Sequence, residues 1–111
     1  MAIAKQNQSY VSQHLGDLDS ASTYHNFEKT IAHLSRLYDF SPQEIVADLH
    51  PDYFSHQYAE NQALPITFVQ HHYAHILAVM AEHGVMEEPV LGIAWDGTGY
   101  GMDNTIWGEN F

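Results

Sequence analysis

Ile66-Thr67-Phe68-Val69-Gln70-His71-His72-Tyr73-Ala74-His75-Ile76-Leu77-Ala78-Val79-Met80 decides how this chain is read. Its first four residues form a compact apolar run of β-branched and aromatic side chains, the composition of a central, buried strand. The run passes without a linker into Ile76, Leu77, Val79 and Met80, spaced as one face of a helix that ends at Gly84, a natural C-cap. His71 and His75 stand four apart at the head of that helix. Side chains at that spacing lie on one face, one above the other, so the two imidazoles can converge on a single ion. His72 has only Ile76 four residues on, which makes it a candidate for a catalytic role beside the ion or on a substrate rather than for a ligand.

Toward the C-terminus, Pro89 precedes Val90-Leu91-Gly92-Ile93-Ala94, read as a second buried strand, which delivers Asp96 to the turn Trp95-Asp96-Gly97-Thr98-Gly99-Tyr100-Gly101. Parallel neighbouring strands bring their carboxyl ends to one sheet edge, where α/β proteins place their ligands. Asp96 would there complete a two-histidine, one-carboxylate set, suited to zinc or iron(II) and open to a substrate. The competing reading is that Asp96 only caps its own turn. Gly97, Thr98, Gly99 and Gly101 let backbone amides approach a phosphate closely, although the lysine and hydroxyl of a P-loop are missing and a plain hairpin turn explains the same residues. Thr105-Ile106-Trp107 reads as the return strand of that hairpin.

Toward the N-terminus, Lys5 to Leu18 reads as a strand around Tyr10-Val11 with an exit turn at Gly16-Asp17. Ser22 is placed to cap a helix whose apolar residues Tyr24, Phe27, Ile31, Leu34 and Tyr38 recur at three- and four-residue steps. Ser41-Pro42-Gln43-Glu44 has capping-box spacing and predicts one helical turn running into a buried strand that ends near Leu49. Asp52 to Glu60 reads as a short helix. Within Asp48-Leu49-His50-Pro51-Asp52-Tyr53, His50 and Asp52 are further candidates at a strand end, against a reading in which Asp52 merely favours a helix start. The alternation of strands and helices indicates an α/β architecture.

Composition narrows the function. The 111 residues hold three Lys and Arg against fourteen Asp and Glu, a formal net charge of −11, which leaves no basic face for a phosphate backbone and disfavours nucleic acid as a partner. There is no cysteine, so any metal is held by nitrogen and oxygen, and a reducing compartment is expected. No apolar run approaches the roughly 18 residues of a membrane span, and the Met1 end lacks the regions of a signal peptide. A cytoplasmic protein with no membrane partner is the expectation, made of one small domain or part of one.

Taken together, five ordered segments resemble the HypF family of hydrogenase-maturation carbamoyltransferases, in the region of those proteins that looks like the Kae1/TsaD family. They are Ser12-Gln13-His14-Leu15-Gly16-Asp17-Leu18, Asp48 to Tyr53, Val69 to His75, Ala81-Glu82-His83-Gly84, and Trp95 to Gly101 continued by Thr105-Ile106-Trp107-Gly108. The resemblance implies an ASKHA-type fold of two RNase H-like lobes. Residues 1–88 would be a partial first lobe, with a metal-binding helix at about 71–84, and residues 89–111 the truncated start of the second. In the family's His-His-His-Ala-His motif the first and last histidines are ligands, and these fall on His71 and His75, while the aspartate of the Asp-Gly motif falls on Asp96. Tyr73 replaces the family's middle histidine, off the ligand face, and Gly108-Glu109-Asn110-Phe111 departs from its Gly-Gly-Glu.

The resemblance also implies a reaction. Carbamoyl phosphate and ATP give a carbamoyl-adenylate, and its carbamoyl group passes to the C-terminal cysteine of HypE, a step toward the cyanide ligand of [NiFe]-hydrogenase. The implied cofactors are a divalent metal, zinc or iron, and ATP or the carbamoyl-adenylate. As a fragment, the chain is expected to be inactive alone and prone to self-association. The alternatives are a Kae1/TsaD-type tRNA threonylcarbamoyl transferase, disfavoured by the HypF-like form of Asp48 to Tyr53 and Asp96 to Gly101, and a non-catalytic metal-binding module.

Overall fold

The computed structural model describes residues 1–16 and 20–108, which fall into two compact units, Met1–Glu44 and Ile45–Phe111. Asp17 and Leu18 of the expected exit turn, and Glu109 to Phe111, lie outside the described residues.

The first unit opens with a hairpin of β1 (Ala2–Lys5) and β2 (Gln8–Val11), antiparallel, with Ala2 opposite Val11 and Lys5 opposite Gln8. The strand at Tyr10-Val11 is the expected one, and its partner at the chain start was not legible. Two-residue hairpin turns are usually announced by Asn-Gly or a similar pair. Here Gln6-Asn7 makes the connection, with Gln6 held at φ 57°.

Next comes α1 (Ala21–Leu37), capped by Ser20 and not by Ser22. Ser20 is still extended, and its Oγ accepts from the Thr23 amide at 3.2 Å, whereas Ser22 already lies inside the first turn. The predicted stripe holds: Phe27 is buried, and Tyr24, Ile31, Leu34 and Tyr38 are half-buried. Lys5 Nζ donates to the carbonyls of Tyr38 and Asp39 at the helix end, at 3.1 and 2.8 Å, satisfying groups the helix leaves open. Tyr10 stacks on Tyr38 with ring centroids 3.9 Å apart. Phe27 and Ile3 are the buried apolar side chains of this unit. Phe27→Ala is therefore expected to cost about 3 kcal/mol in urea unfolding, and a loss below about 1 kcal/mol would show that the site collapses around the smaller residue.

The second unit is built on β3 (Ile45–Asp48), α2 (Phe54–Glu60) and β4 (Ile66–Val69), a β-α-β unit whose strands pair in parallel from Ile45 opposite Ile66 to Asp48 opposite Val69. The helical turn expected at Ser41 to Glu44 does not form. Proline biases the residue before it toward extended backbone, and Ile45 is already committed to the ladder through its amide, 2.9 Å from the Pro65 carbonyl. Ala59 and His56 of α2 are buried, and the His56 ring stacks on Phe68 of β4 at 4.0 Å. Among the described residues β4 pairs with β3 alone, where its composition predicts a central strand with a neighbour on each side.

One residue, Gln70, separates β4 from α3 (His71–His83), and its side chain caps the helix by accepting from the Tyr73 amide at 2.8 Å. Gly84 ends α3 in the left-handed conformation at φ 68°, with the Val85 amide returning to the Met80 carbonyl at 3.0 Å. A short antiparallel hairpin of β5 (Gly99–Tyr100) and β6 (Ile106–Trp107) follows, as expected. The strand expected at Val90 to Ala94 does not form, and Val90, Leu91 and Ile93 are exposed, Leu91 by 91%. A strand exists only through its hydrogen-bonding neighbours, and among the described residues this segment joins no sheet. No helix among the described residues is long and apolar enough to cross a membrane.

Candidate metal centre

The end of β4 sets the site. Because the strand runs directly into α3, His71 and His75 project from the first turns of the helix at the carboxyl edge of the β3–β4 pair. Their Nε2 atoms lie 3.2 Å apart. Asp96, carried on the irregular segment before β5, places Oδ2 3.0 Å from His71 Nε2 and 3.1 Å from His75 Nε2. Donors about 2.0–2.1 Å from one ion stand roughly 3.0–3.4 Å apart in octahedral or tetrahedral geometry. These three atoms therefore fit a shared cation, and imidazole and carboxylate are the donors zinc and iron(II) accept. Asp96 reaches the site without a strand behind it, so the parallel-strand route expected for it is replaced by a loop.

A fourth group stands behind the first. His71 Nδ1 donates to Asp48 Oδ2 at 2.6 Å. Asp48 is the last residue of β3, opposite Val69, so the parallel register delivers its carboxylate beside the start of α3. Sequence reasoning favoured His50 and Asp52 from the same segment and passed over Asp48. The usable signal was the register: the last residues of two adjacent parallel strands share an edge. His50 instead stacks on Tyr53 at 4.4 Å and tilts against Tyr100 at 5.1 Å, and its Nδ1 accepts from the Asp52 amide at 3.2 Å.

His72 turns away from the three converging atoms, toward Gly99. Its Nε2 is buried without a hydrogen-bond partner among the described residues, and its Nδ1 is 3.4 Å from Gln70 Nε2. A Cβ on Gly99 would come 2.7 Å from the His72 ring, so any side chain there would force that ring to shift. Gly97 and Thr98 lead into the hairpin, and Gly101 is buried against Trp107.

Charge follows the geometry. The hydrogen bond to Asp48 holds His71 above its ordinary 6.5; partial burial opposes this, and the charges of Asp48 and Asp96 reinforce it. Desolvation pulls Asp96 upward, but hydrogen bonds from His75 and Thr98 and the nearby His71 outweigh it, leaving the carboxyl below its ordinary value. In the metal-free protein the stability due to His71 is thus present in full below 6.5 and lost as pH rises through its raised pKa, whereas that due to Asp96 is present above 3.8 and lost as pH falls through its lowered one. A cation needs His71 neutral. Metal affinity is accordingly expected to climb as pH rises through the His71 titration, in a competition experiment with a chromogenic chelator. A flat profile across that range would exclude His71 from the ligand set.

Comparisons with known proteins identify the family. Residues 1–82 match the family described as the HypF Kae1-like domain. The chain is 88% identical over its whole length to the carbamoyltransferase HypF of Synechocystis sp., spanning 14% of that protein. It is 44% identical to the carbamoyltransferase HypF2 of Cupriavidus necator over 97% of this chain and 14% of that protein. A crystal structure of full-length HypF in a phosphate- and nucleotide-bound form superposes with a TM-score of 0.92 at 41% identity, covering 96% of this chain and 17% of that one. The chain thus spans about one seventh of the curated relatives it matches. With 82 of 111 residues inside the family match, a mixed α/β fold and a histidine–aspartate cluster at a strand-to-helix junction, the chain belongs to the HypF Kae1-like domain family.

Proposed function

We propose that this chain is the metal-bearing part of a carbamoyltransferase of [NiFe]-hydrogenase maturation. In this reading it transfers carbamoyl from a carbamoyl-adenylate, made from carbamoyl phosphate and ATP, to the C-terminal cysteine of HypE in the cytoplasm. The observation that carries the reading is the convergence of His71 Nε2, His75 Nε2 and Asp96 Oδ2 within 3.2 Å of one another. The names of the relatives support the reaction class, and the nucleotide and phosphate of the full-length HypF crystal structure support an adenylate substrate. The surrounding fold would be of the two-lobe ASKHA type, with residues 1–88 in the first lobe and 89–111 beginning the second.

His71, His75 and Asp96 would hold zinc or iron(II). When bound, such an ion supplies Lewis acidity toward a carbonyl oxygen and a fixed point for orienting it. The chain's own contribution is placement. His72 offers a buried Nε2, unpartnered among the described residues, to a substrate group beside Gly99. Gly97, Thr98, Gly99 and Gly101 would border the nucleotide. In the transfer, the cysteine thiolate forms a C–S bond to the carbamoyl carbon, the bond from that carbon to the adenylate phosphate oxygen breaks, and AMP leaves. The test is incubation of the intact protein with carbamoyl phosphate, ATP and a peptide ending in the HypE cysteine. A peptide that gains one carbamoyl group, with AMP released, supports the reading, whereas transfer of a threonylcarbamoyl group to adenosine in tRNA when threonylcarbamoyl-adenylate and tRNA are supplied instead, or transfer to neither acceptor, overturns it.

A further inference from the structure

We propose that Asp48 is the positioning residue of the metal centre: its carboxylate fixes His71 as the Nδ1–H tautomer and so commits Nε2, the atom facing His75 and Asp96, to binding the ion. The proposal rests on the metal reading above and adds to it a group outside the ligand set.

A neutral imidazole carries one proton on two nitrogens, and only the bare nitrogen can bind a metal. In His71 both nitrogens have close neighbours. Nδ1 is 2.6 Å from Asp48 Oδ2, and Nε2 is 3.0 Å from Asp96 Oδ2 and 3.2 Å from His75 Nε2. Both carboxylates only accept, but Asp48 is the nearer by 2.6 against 3.0 Å and Asp96 has a second donor in His75 Nε2 at 3.1 Å, so the proton goes to Nδ1 and the Nε2 lone pair is left facing the converging donors. The same bond sets the plane of the ring.

Asp48 can do this because it is itself held in three ways. Its Oδ1 accepts from the His50 amide at 2.8 Å, which fixes the rotation of the carboxylate. Its backbone carbonyl is 2.9 Å from Nδ1 of His56, a buried ring stacked on Phe68. The next residue, Leu49, continues the β3–β4 ladder, its amide donating to the Val69 carbonyl at 3.0 Å. The chain Phe68–His56–Asp48–His71 thus ties the orientation of a ligand to the packing of α2 on the sheet. His75 stands at the rim with its side chain 56% exposed, against 27% for His71 and 18% for Asp48, so the supported ligand is the inner one. Groups that orient a metal-bound histidine typically govern affinity by about 10–100-fold.

The test uses the intact protein with ¹⁵N-labelled histidine. In the metal-free wild type, in alkaline buffer, long-range ¹H–¹⁵N spectra are expected to show His71 protonated at Nδ1. A His71 protonated at Nε2 overturns the proposal, and this measurement needs no variant to fold. In Asp48→Asn, whose oxygen stays with the His50 amide and whose NH2 then faces His71 Nδ1, the population is expected to shift toward the Nε2–H tautomer and Co²⁺ affinity to fall about 10–100-fold. The Co²⁺ ligand-field spectrum at saturation should keep the wild-type coordination number. Wild-type affinity and an unshifted tautomer in Asp48→Asn overturn the role of Asp48 while leaving the ligand assignment standing. Undiminished Co²⁺ binding in His75→Ala overturns the ligand assignment itself and the proposal with it.

Discussion

Alanine at His71 or at His75 is expected to lower the metal affinity of the intact protein by more than about 100-fold, beyond the roughly 10–100-fold that loss of an outer partner costs. His72→Ala is expected to leave metal content close to that of the parent protein. The asymmetry comes from the helix. His71 and His75 share a face, and their Nε2 atoms meet 3.2 Å apart, whereas the His72 ring lies against Gly99. Metal analysis by atomic emission after dialysis reads the difference directly. Equal losses from all three variants would mean that the ligand face has been misassigned. The same His72 variant separates binding from transfer, because a side chain that touches substrate lowers turnover while the metal stays in place.

Asp96→Asn is the second large effect. Asparagine supports the same turn, so a residue that only shapes the turn would tolerate the change. Asp96 instead brings one oxygen to 3.0 and 3.1 Å from the two imidazole nitrogens, and a neutral amide there is a far weaker partner for a dication than an ionised carboxylate. Metal retention is expected to fall at least about tenfold, with carbamoyl transfer falling alongside it. The metal-free variant should also titrate His71 at lower pH, since one of the two negative charges that raise it is gone. Unchanged metal content together with an unchanged His71 titration would remove Asp96 from the centre.

Taken alone, the amino-acid sequence determined the elements whose signals are local. The 3.6-residue stripe from Tyr24 to Tyr38 made α1, Gly84 stopped α3, and the short apolar run Ile66 to Val69 made β4. It also determined the histidine pair, because four residues along a helix is a distance as well as a spacing. Only the tertiary structure decided the rest. The β1–β2 hairpin turns on Gln6-Asn7, which carries no turn signature, and Val90 to Ala94 stays out of any sheet among the described residues despite a strand's composition, because pairing depends on neighbours and not on the segment itself. Asp96 lies 25 residues from His71 and Asp48 lies 23 residues before it, separations at which spacing carries no geometry. The parallel register that sets Asp48 opposite Val69 turned an unremarked strand-end aspartate into the partner of His71, while His50 and Asp52, two and four residues on, were carried past the edge into the loop before α2.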